Sequence, residues 1–162
     1  MKIFQAGEND FETVKQITHK TICEIYPKYY PNGAVQFFLH HHCNENIRND
    51  IASGIVFILE HDGKKCGTVT VKENAINRLF VLSEEQHKGY GRALLDFAED
   101  MILKSYDTIQ MDASFPAKKI YRQRGYIEKD YVIEETGFGD YLCYDVMEKS
   151  FTKLSETVKS FL

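Results

Sequence analysis

The sequence lacks the features that mark membrane-spanning, secreted or disulfide-stabilised proteins. Its longest continuous apolar run, Ile55 to Leu59, is far shorter than the roughly 20 residues that a membrane-spanning helix needs. The first residues contain no apolar signal segment, so secretion is not expected. The 4 cysteines are dispersed without a C-x-x-C pair, which is typical of reduced thiols. These absences predict a cytoplasmic protein with no membrane partner.

The sequence also lacks a broad basic surface and a plausible set of metal ligands. A formal net charge of −4 argues against nucleic acid as a partner. The histidines of the segment His40–Cys43 are consecutive, and consecutive helical residues point about 100° apart, so they do not converge on one ion. We therefore expect no bound metal. A length of 162 residues suits a single domain with a substantial core.

One turn between a predicted strand and a predicted helix carries most of the functional information. An apolar strand ends at Val81, a polar segment follows, and residues 86–91 read Gln-His-Lys-Gly-Tyr-Gly. Apolar residues then recur at helical spacing from Leu94 to Ile102. Glycines at such a turn let the backbone approach a ligand closely, and the first N–H groups of the helix carry partial positive charge. The turn therefore predicts a seat for a phosphate or pyrophosphate.

Two common glycine motifs do not fit this turn. Gly89 and Gly91 lack the third glycine of a dinucleotide fingerprint, and no G-K-[ST] follows to make a P-loop. A nucleotide enzyme using the turn differently would need an acidic ribose partner about 20 residues further on. The acidic residues there, Asp107 and Asp112, stand in a different context. What remains is Val81, four residues, and then Gln-x-x-Gly-x-Gly.

This pattern resembles the acetyl-CoA motif of the GNAT N-acetyltransferase superfamily, [QR]-x-x-G-x-[GA] after such a strand. A second segment, Ser114-Phe-Pro-Ala-Lys-Lys-Ile-Tyr121 followed by Gly125-Tyr126, is similar to the superfamily's N-x-x-A-x-x-x-Y…G-[FY] segment. The two matches have the expected order and separation. Together they identify the chain as GNAT-like.

The predicted elements agree with that resemblance, which implies an α+β fold: a mixed sheet of about six to seven strands with flanking helices, in three α/β/α layers. The GNAT domain is predicted over residues 1–149, and residues 150–162 are predicted to form an amphipathic helix packed on it, or a subunit contact. A single second helix is expected over Ala34–Ile47. The strand Ala75–Val81 should lie parallel to the strand Thr108–Ala113. The other predicted strands are Met1–Gln5, Gly54–Glu60, Cys66–Lys72, Tyr126–Glu134 and Asp140–Met147.

The resemblance further implies how acetyl-CoA is bound. The backbone at the end of the Ala75–Val81 strand would hold the pantetheine arm and the thioester, and an N–H near Val81 would polarise the thioester carbonyl. The glycine turn would hold the pyrophosphate. The implied cofactor-binding residues are Leu79, Phe80, Val81, Gln86, His87, Lys88, Gly89, Tyr90, Gly91, Arg92, Ser114 and Tyr121.

Acetyl transfer to an amine requires a neutral nucleophile and a stabilised leaving thiolate. A lysine-like amine of pKa about 10.4 is almost fully protonated at pH 7, so a base, a water relay or a desolvating pocket must help. The departing thiolate can take a proton from a phenol. Tyr121 occupies the position of the family's general-acid tyrosine. The candidate catalytic residues are therefore Tyr121, through its phenol, and Val81, through its backbone N–H. The alternative role of Tyr121 is that of a buried tyrosine anchoring its helix.

Two positions depart from the family pattern. Ser114 stands where the family usually has asparagine, and a hydroxyl loses the second donor of the amide. Ala75 stands where several GNAT enzymes have a glutamate base. Glu73, two residues earlier on the same strand face, and Asp112 on the following strand are alternative bases, and ordered water is a third.

The acceptor is expected near the break between the first two helices. Tyr26, Tyr29 and Tyr30 lie there, and aromatic faces suit an ammonium group or an apolar chain, although a structural role is equally open. The leading hypothesis is an acetyl-CoA-dependent N-acetyltransferase, a monomer or homodimer, acting on a small-molecule or peptide amine. The alternative is a CoA-binding module of the same fold with little or no catalysis.

Overall fold

A seven-stranded mixed sheet is the frame of the molecule, which a computed structural model describes over residues 1–151. The strands are β1 Lys2–Gln5, β2 Val56–His61, β3 Lys64–Lys72, β4 Ala75–Val81, β5 Thr108–Ala113, β6 Ile127–Glu135 and β7 Tyr141–Ser150. The helices are α1 Phe11–Ile25, α2 Asn32–His41, α3 Asn44–Ala52, α4 Tyr90–Ile102 and α5 Phe115–Gln123. The strand order across the sheet is β1-β2-β3-β4-β5-β7-β6. The predicted α+β fold is confirmed.

The helices cover both faces of this sheet. Successive residues of a strand point to opposite faces, and β4 shows the two environments side by side. Val81 packs in a core cluster with Leu94 of α4, whereas Phe80 packs in another cluster with Ile22 of α1. α5 contacts β5 and β7, and its Tyr121 belongs to the cluster of α4. The sheet therefore lies between α1–α3 on one side and α4–α5 on the other.

The prediction of one helix over Ala34–Ile47 is wrong, because the chain breaks between α2 and α3. Cys43 is extended, with φ −68° and ψ 168°, and its carbonyl accepts the first bond of α3 from Ile47 N at 3.1 Å. His42 is buried, and its carbonyl oxygen lies 2.7 Å from His19 Nε2 on α1. Apolar periodicity runs through the segment, but these long-range contacts favour two shorter helices over one.

At Ser150 the chain still belongs to the sheet. Ser150, predicted as the cap of a terminal helix, ends β7 and pairs with Thr108 of β5. Phe151 continues the contact, with its N–H donating to Asp107 O at 2.8 Å. The rest of the predicted terminal helix, residues 152–162, lies outside the described residues.

β4 and β5 are parallel, as predicted, but they pair at one end only. Their single register pair is Ala75 with Gln110, supported by a hydrogen bond from Gln110 N to Asn74 O at 2.9 Å. β5 pairs with β7 over its full length, from Thr108 to Ala113. Within residues 1–151, β4 has no register partner on β5 beyond Ala75, so a cleft opens between the two strands.

A glycine on β3 lets α4 approach the sheet beside this cleft. A β-carbon on Gly67 would lie 2.8 Å from Phe80 O and 2.9 Å from Leu94 Cδ1. Both distances are shorter than normal contacts between such atoms. The carbonyl belongs to β4, so a side chain at this position would press on both the helix and the strand.

We predict that Gly67→Ala lowers the free energy of unfolding by about 1–3 kcal/mol, because the added methyl overpacks the interface of α4 with β3. Urea denaturation measures the change. The matched control is Gly7→Ala, whose β-carbon would come no nearer than 4.0 Å to Asp10 Oδ2. Its effect should stay within about 0.5 kcal/mol of wild type. Equal losses in the two variants would contradict the packing argument.

Candidate active site

A bulge in β4 turns the main chain of Val81 into the cleft. Asn77 pairs with Thr70 and Phe80 pairs with Thr68, so three steps on β4 match two steps on β3. Main-chain groups alternate between the two edges of a strand, so one extra residue reverses the edge that every later residue presents. Without the bulge, the N–H and C=O of Val81 would point at β3; with it, they point away.

The hydrogen bonds around Val81 agree with this orientation. Leu82 N donates to Cys66 O of β3 at 3.0 Å, so Val81, one residue earlier, faces the opposite edge. The carbonyl of Val81 accepts instead from Gln86 Nε2 at 3.1 Å and from Thr21 Oγ1 at 3.4 Å. Its N–H points to the same side as its carbonyl. This is the orientation that the role predicted for Val81 requires.

The glycine turn closes directly onto the end of β4. His87 and Gly89 both have positive φ, 62° and 87°, which reverses the chain into α4. The first helical bond is from Ala93 N to Gly89 O at 3.0 Å. The N–H groups of Tyr90, Gly91 and Arg92 precede that bond and have no acceptor within the helix. They form the partial positive charge that an anion seat needs.

The side chains of this turn point in different directions, and several of them do not face the space in front of the helix. The Tyr90 ring is buried and lies 5.5 Å from the His61 ring, so Tyr90 offers the turn its main chain only. The Arg92 side chain is 81% exposed, with its Nε 4.0 Å from Asp96. Gln86 fixes the turn to β4 through its amide rather than facing outward. The predicted anion seat would therefore depend mainly on backbone groups.

A buried carboxylate beneath the turn was not anticipated from the sequence. Glu85 lies with Oε1 2.5 Å from Lys64 Nζ and Oε2 2.8 Å from Lys88 Nζ. The hydrogen bond from Lys64, followed by that from Lys88, holds the pKa of Glu85 below its usual range. Glu85 thus shares its single negative charge between Lys64 and Lys88, the lysine predicted to face the pyrophosphate. The only sequence signal was the i, i+3 spacing of Glu85 and Lys88.

Tyr121 projects from α5 into the core and is 9% exposed. Its ring lies 5.9 Å from the ring of Tyr126. Burial raises the pKa of the Tyr121 phenol well above its ordinary value, and nearby Tyr26 raises it further. A phenol in this environment keeps its proton at neutral pH, which a general acid requires.

Tyr26 spans the open end of the cleft. Its ring lies 6.1 Å from the ring of Phe80 on β4, and its hydroxyl hydrogen-bonds with Ser114, which follows β5. Burial raises the pKa of Tyr26 to about 12, and the bond to Ser114 partly offsets that rise. The structure thus brings together Tyr26, Ser114 and Phe80, which the sequence separates widely.

Tyr30 fastens the segment between α1 and α2 to the start of α5. Its hydroxyl accepts a hydrogen bond from Phe115 N at 2.8 Å, and the two rings stack with centroids 5.1 Å apart. Tyr30 is buried, whereas Tyr29 is 50% exposed. The three tyrosines therefore have different roles: two belong to the core, and one faces outward.

The two candidate carboxylate bases lie at different places along the cleft. Glu73 is outside β4, in the exposed turn after β3, with φ 53°, so the prediction that it shares a strand face with Ala75 is wrong. It lies at the closed end, where Asn74 bonds to β5. Asp112 is near the open end of β5, between two buried residues, and partial burial raises the pKa of its carboxyl while His41 partly offsets this.

The histidine segment does not form a metal centre in the described part of the chain. Over residues 1–151, no three or more His, Cys, Asp or Glu side chains are grouped so that they could hold a metal ion. His42 is buried, whereas His40 and His41 are exposed, as expected for consecutive residues that point in different directions. In the same range, no helix has the length and apolar character needed to cross a membrane.

Comparison with protein families gives one clear match. The model of the acetyltransferase (GNAT) domain matches residues 25–142. That range includes β4, the glycine turn and α5. No curated protein matches the chain.

Solved structures share the fold at low sequence identity. A GCN5-related N-acetyltransferase from Rhodopseudomonas palustris is 18% identical, covers 93% of this chain and 95% of its own, and has a TM-score of 0.84. PaiA N-acetyltransferase from Thermoplasma acidophilum, in complex with coenzyme A, is 18% identical, covers 93% of this chain and 98% of its own, and has a TM-score of 0.75. The ribosomal-protein-S18-alanine N-acetyltransferase from Escherichia coli is 16% identical over 97% of both chains, with a TM-score of 0.71.

The two glycines of the turn should respond differently to alanine. Gly89 has φ 87° and open space around a β-carbon, so Gly89→Ala should cost about 1–2 kcal/mol of unfolding free energy through backbone strain alone. A β-carbon on Gly91 would make an ordinary contact of 3.8 Å with Val81 Cγ2. We expect Gly91→Ala to be neutral or stabilising by up to about 1 kcal/mol. Urea denaturation of both variants tests this, and the reverse order would contradict the assigned backbone geometry.

Proposed function

The chain belongs to the GNAT acetyltransferase family, and from that premise we propose that it transfers an acetyl group from acetyl-CoA to a primary amine of a small molecule or peptide. The observation that carries the proposal is the cleft beside β4, into which the bulge turns the main chain of Val81. The coenzyme A in the PaiA structure supports the choice of donor. The proposed enzyme works in the cytoplasm as a monomer or homodimer and requires no metal.

The chain offers backbone groups suited to each part of the donor. The amides that begin α4, with Gly89 supplying close approach, fit a pyrophosphate. The free edge of β4 from Leu79 to Val81 fits an extended amide-bearing arm such as pantetheine, which would pair with it as an added strand. The Val81 N–H is then available to polarise the thioester carbonyl. Ser114, at the other wall, supplies one hydroxyl.

Tyr121 is the proposed general acid. As the amine nitrogen attacks the carbonyl carbon and the carbon–sulfur bond breaks, the phenol donates its proton to the departing thiolate. The phenolate then regains a proton from solvent. Burial keeps the phenol protonated at neutral pH, but the raised pKa also makes it a weaker acid, so the proposal rests on the position of Tyr121 in the sequence motif.

The proton of the attacking amine needs a separate acceptor. Of the two carboxylates, Asp112 lies nearer the open end of the cleft, and its raised pKa makes it a better proton acceptor than an ordinary aspartate. Glu73 lies at the closed end, several residues from Val81 along β4, and is the weaker candidate. Ordered water between Asp112 and the amine is the third route.

The acceptor enters where Tyr26, Tyr29 and Tyr30 line the break between α1 and α2. Tyr29 is half-exposed and presents an aromatic face to solvent, which suits an ammonium group or an apolar chain. Proteins of this fold have names that point to different reactions. One is a ribosomal-protein-S18-alanine N-acetyltransferase, and another is an N-acetylglutamate synthase. Membership of the family supports the proposed donor, and in this proposal local side chains select the amine.

Replacing Tyr121 by phenylalanine tests the general acid. We expect kcat to fall at least about tenfold, since general acid catalysis typically contributes roughly 100-fold or more. The Kd for CoA should stay within about twofold of wild type. Thiol release with acetyl-CoA and a panel of amines measures kcat, and calorimetry measures Kd. The matched control is Tyr126→Phe, which removes a buried hydroxyl bonded to Glu99 at 2.9 Å. It should lower stability but retain turnover, and wild-type kcat in Tyr121→Phe would refute the acid role.

The same assays separate the enzyme from the alternative of a CoA-binding module. Calorimetric binding of CoA without turnover of any amine in the panel would favour the module, which Ser114 and Ala75 support as departures from the catalytic pattern. Absence of CoA binding would overturn both.

The pH dependence of turnover is a further prediction. Because the pKa of Tyr121 is raised, the phenol stays protonated throughout the assay range and should cause no loss of activity on the basic side. For an amine of pKa about 10.4, kcat/KM should rise about tenfold per pH unit from pH 6 to 9 as the neutral amine accumulates. Steady-state profiles measure this. A decline between pH 7 and 9 that Tyr121→Phe abolishes would contradict the assignment.

A further inference from the structure

A buried arginine occupies the bulge of β4, directly before the segment proposed to bind pantetheine. The Arg78 side chain is 5% exposed, and its backbone has φ 46°, a conformation that non-glycine residues seldom adopt. Arg78 and Leu79 together lie opposite the one β3 residue between Thr68 and Thr70. The extra residue that reorients Val81 is therefore built at Arg78.

Three other elements hold the guanidinium. Its Nε donates to His42 Nδ1 at 3.1 Å, at the break between α2 and α3. Its Nη1 donates to Asp50 Oδ2 of α3 at 2.7 Å and lies 3.3 Å from Thr70 Oγ1 of β3. Asp50 supplies the opposite charge that a buried cation needs.

The histidine in this cluster serves as a neutral acceptor. Burial, followed by the positive charge of Arg78, lowers the pKa of His42 to about 2. The ring is therefore neutral at neutral pH, and because a guanidinium can only donate, Nδ1 is the unprotonated nitrogen that accepts from Arg78. The carbonyl of His42 lies 2.7 Å from His19 Nε2, so α1 is joined to the same cluster. The break that divides α2 from α3 thus places an acceptor where the bulge needs one.

We propose that Arg78 is a positioning residue: by fastening the β4 bulge to α3 and to the α2–α3 break, it holds the main-chain groups of Leu79 and Val81 toward the cleft and thereby sets the affinity for acetyl-CoA. The inference rests on the proposed function for its ligand. The claim that Arg78 orients the main chain of β4 does not depend on the proposed function. A side-chain anchor is needed because the bulged residue is not glycine and its left-handed backbone costs about 1–2 kcal/mol on its own.

The test compares Arg78→Gly with Arg78→Lys and with a matched control. Glycine accepts positive φ without strain, so Arg78→Gly removes the anchor and leaves the backbone conformation accessible. Lysine keeps a charge near Asp50 but has no equivalent of Nε for His42. The control is Arg124→Ala, which removes an arginine paired with Glu99 at 2.8 Å and Asp96 at 2.6 Å, between α4 and the end of α5.

In Arg78→Gly, we expect the Kd for CoA and the KM for acetyl-CoA to rise at least about tenfold (about 1.4 kcal/mol), with the KM for the amine changing less than about threefold. Arg78→Lys should lie between Arg78→Gly and wild type. Arg124→Ala should lower thermal stability to a similar extent and leave the KM for acetyl-CoA within about twofold. If Arg78→Gly also keeps that KM within about twofold, Arg78 has only a stabilising role and the proposal is overturned.

Hydrogen exchange of the ligand-free proteins supplies a readout that needs no coenzyme. In Arg78→Gly, peptides spanning residues 77–82 should exchange at least about tenfold faster than in wild type, while β2 exchanges unchanged. Unchanged exchange in 77–82 overturns the proposal even if the wild type binds no CoA, which would separately refute the proposed function. If Arg78→Gly does not fold, the same comparison is made with Arg78→Lys, which keeps the charge, and the same criterion applies.

Discussion

One extra residue in β4 is the constraint on which the rest of the site depends. Because main-chain groups alternate along a strand, the bulge at Arg78 reverses the edge presented by Val81. If β5 paired with β4 along its whole length, the main-chain groups of Val81 would point at β5 instead of at open space. The strands pair only at Ala75 and Gln110, so the reversed groups meet an open cleft. Bulge and divergence are each ordinary features of sheets, and the edge proposed to bind the donor requires both in the same strand.

Local signals in the sequence predicted the elements that frame the cleft. The bounds of β4 and β5 follow from short apolar runs that end at polar turns. Such runs involve only residues that are close in sequence, so the sequence alone predicts them. The glycine turn was predictable for the same reason: φ 87° at Gly89 is a local requirement that few residues satisfy. The seven-stranded sheet follows from that order of elements.

Contacts between distant residues were not predictable in this way. The break between α2 and α3 depends on His42 meeting Arg78, which lies on another element, and no periodicity reports that meeting. The placement of Glu73 depends on a two-residue turn that moves it off the strand face of Ala75, and strand alternation alone does not predict that turn. Tyr26 bridges Phe80 and Ser114 across the cleft, a relation that composition cannot show. In each case the missing information is which segments the folded sheet brings together.

The carboxylate of Glu85 changes what kind of attraction the glycine turn exerts. With Lys64 and Lys88 both paired to it, these three side chains keep a net charge of +1 instead of the +2 of the two lysines alone, beside the oriented peptide dipoles of the turn. Dipoles held by the backbone act only at short range, whereas unpaired ammonium groups would act over a Debye length of about 8–10 Å. If the turn binds an anion as proposed, Glu85 therefore halves the long-range attraction and its salt dependence without abolishing them, and the fixed backbone dipoles add selection by shape at short range.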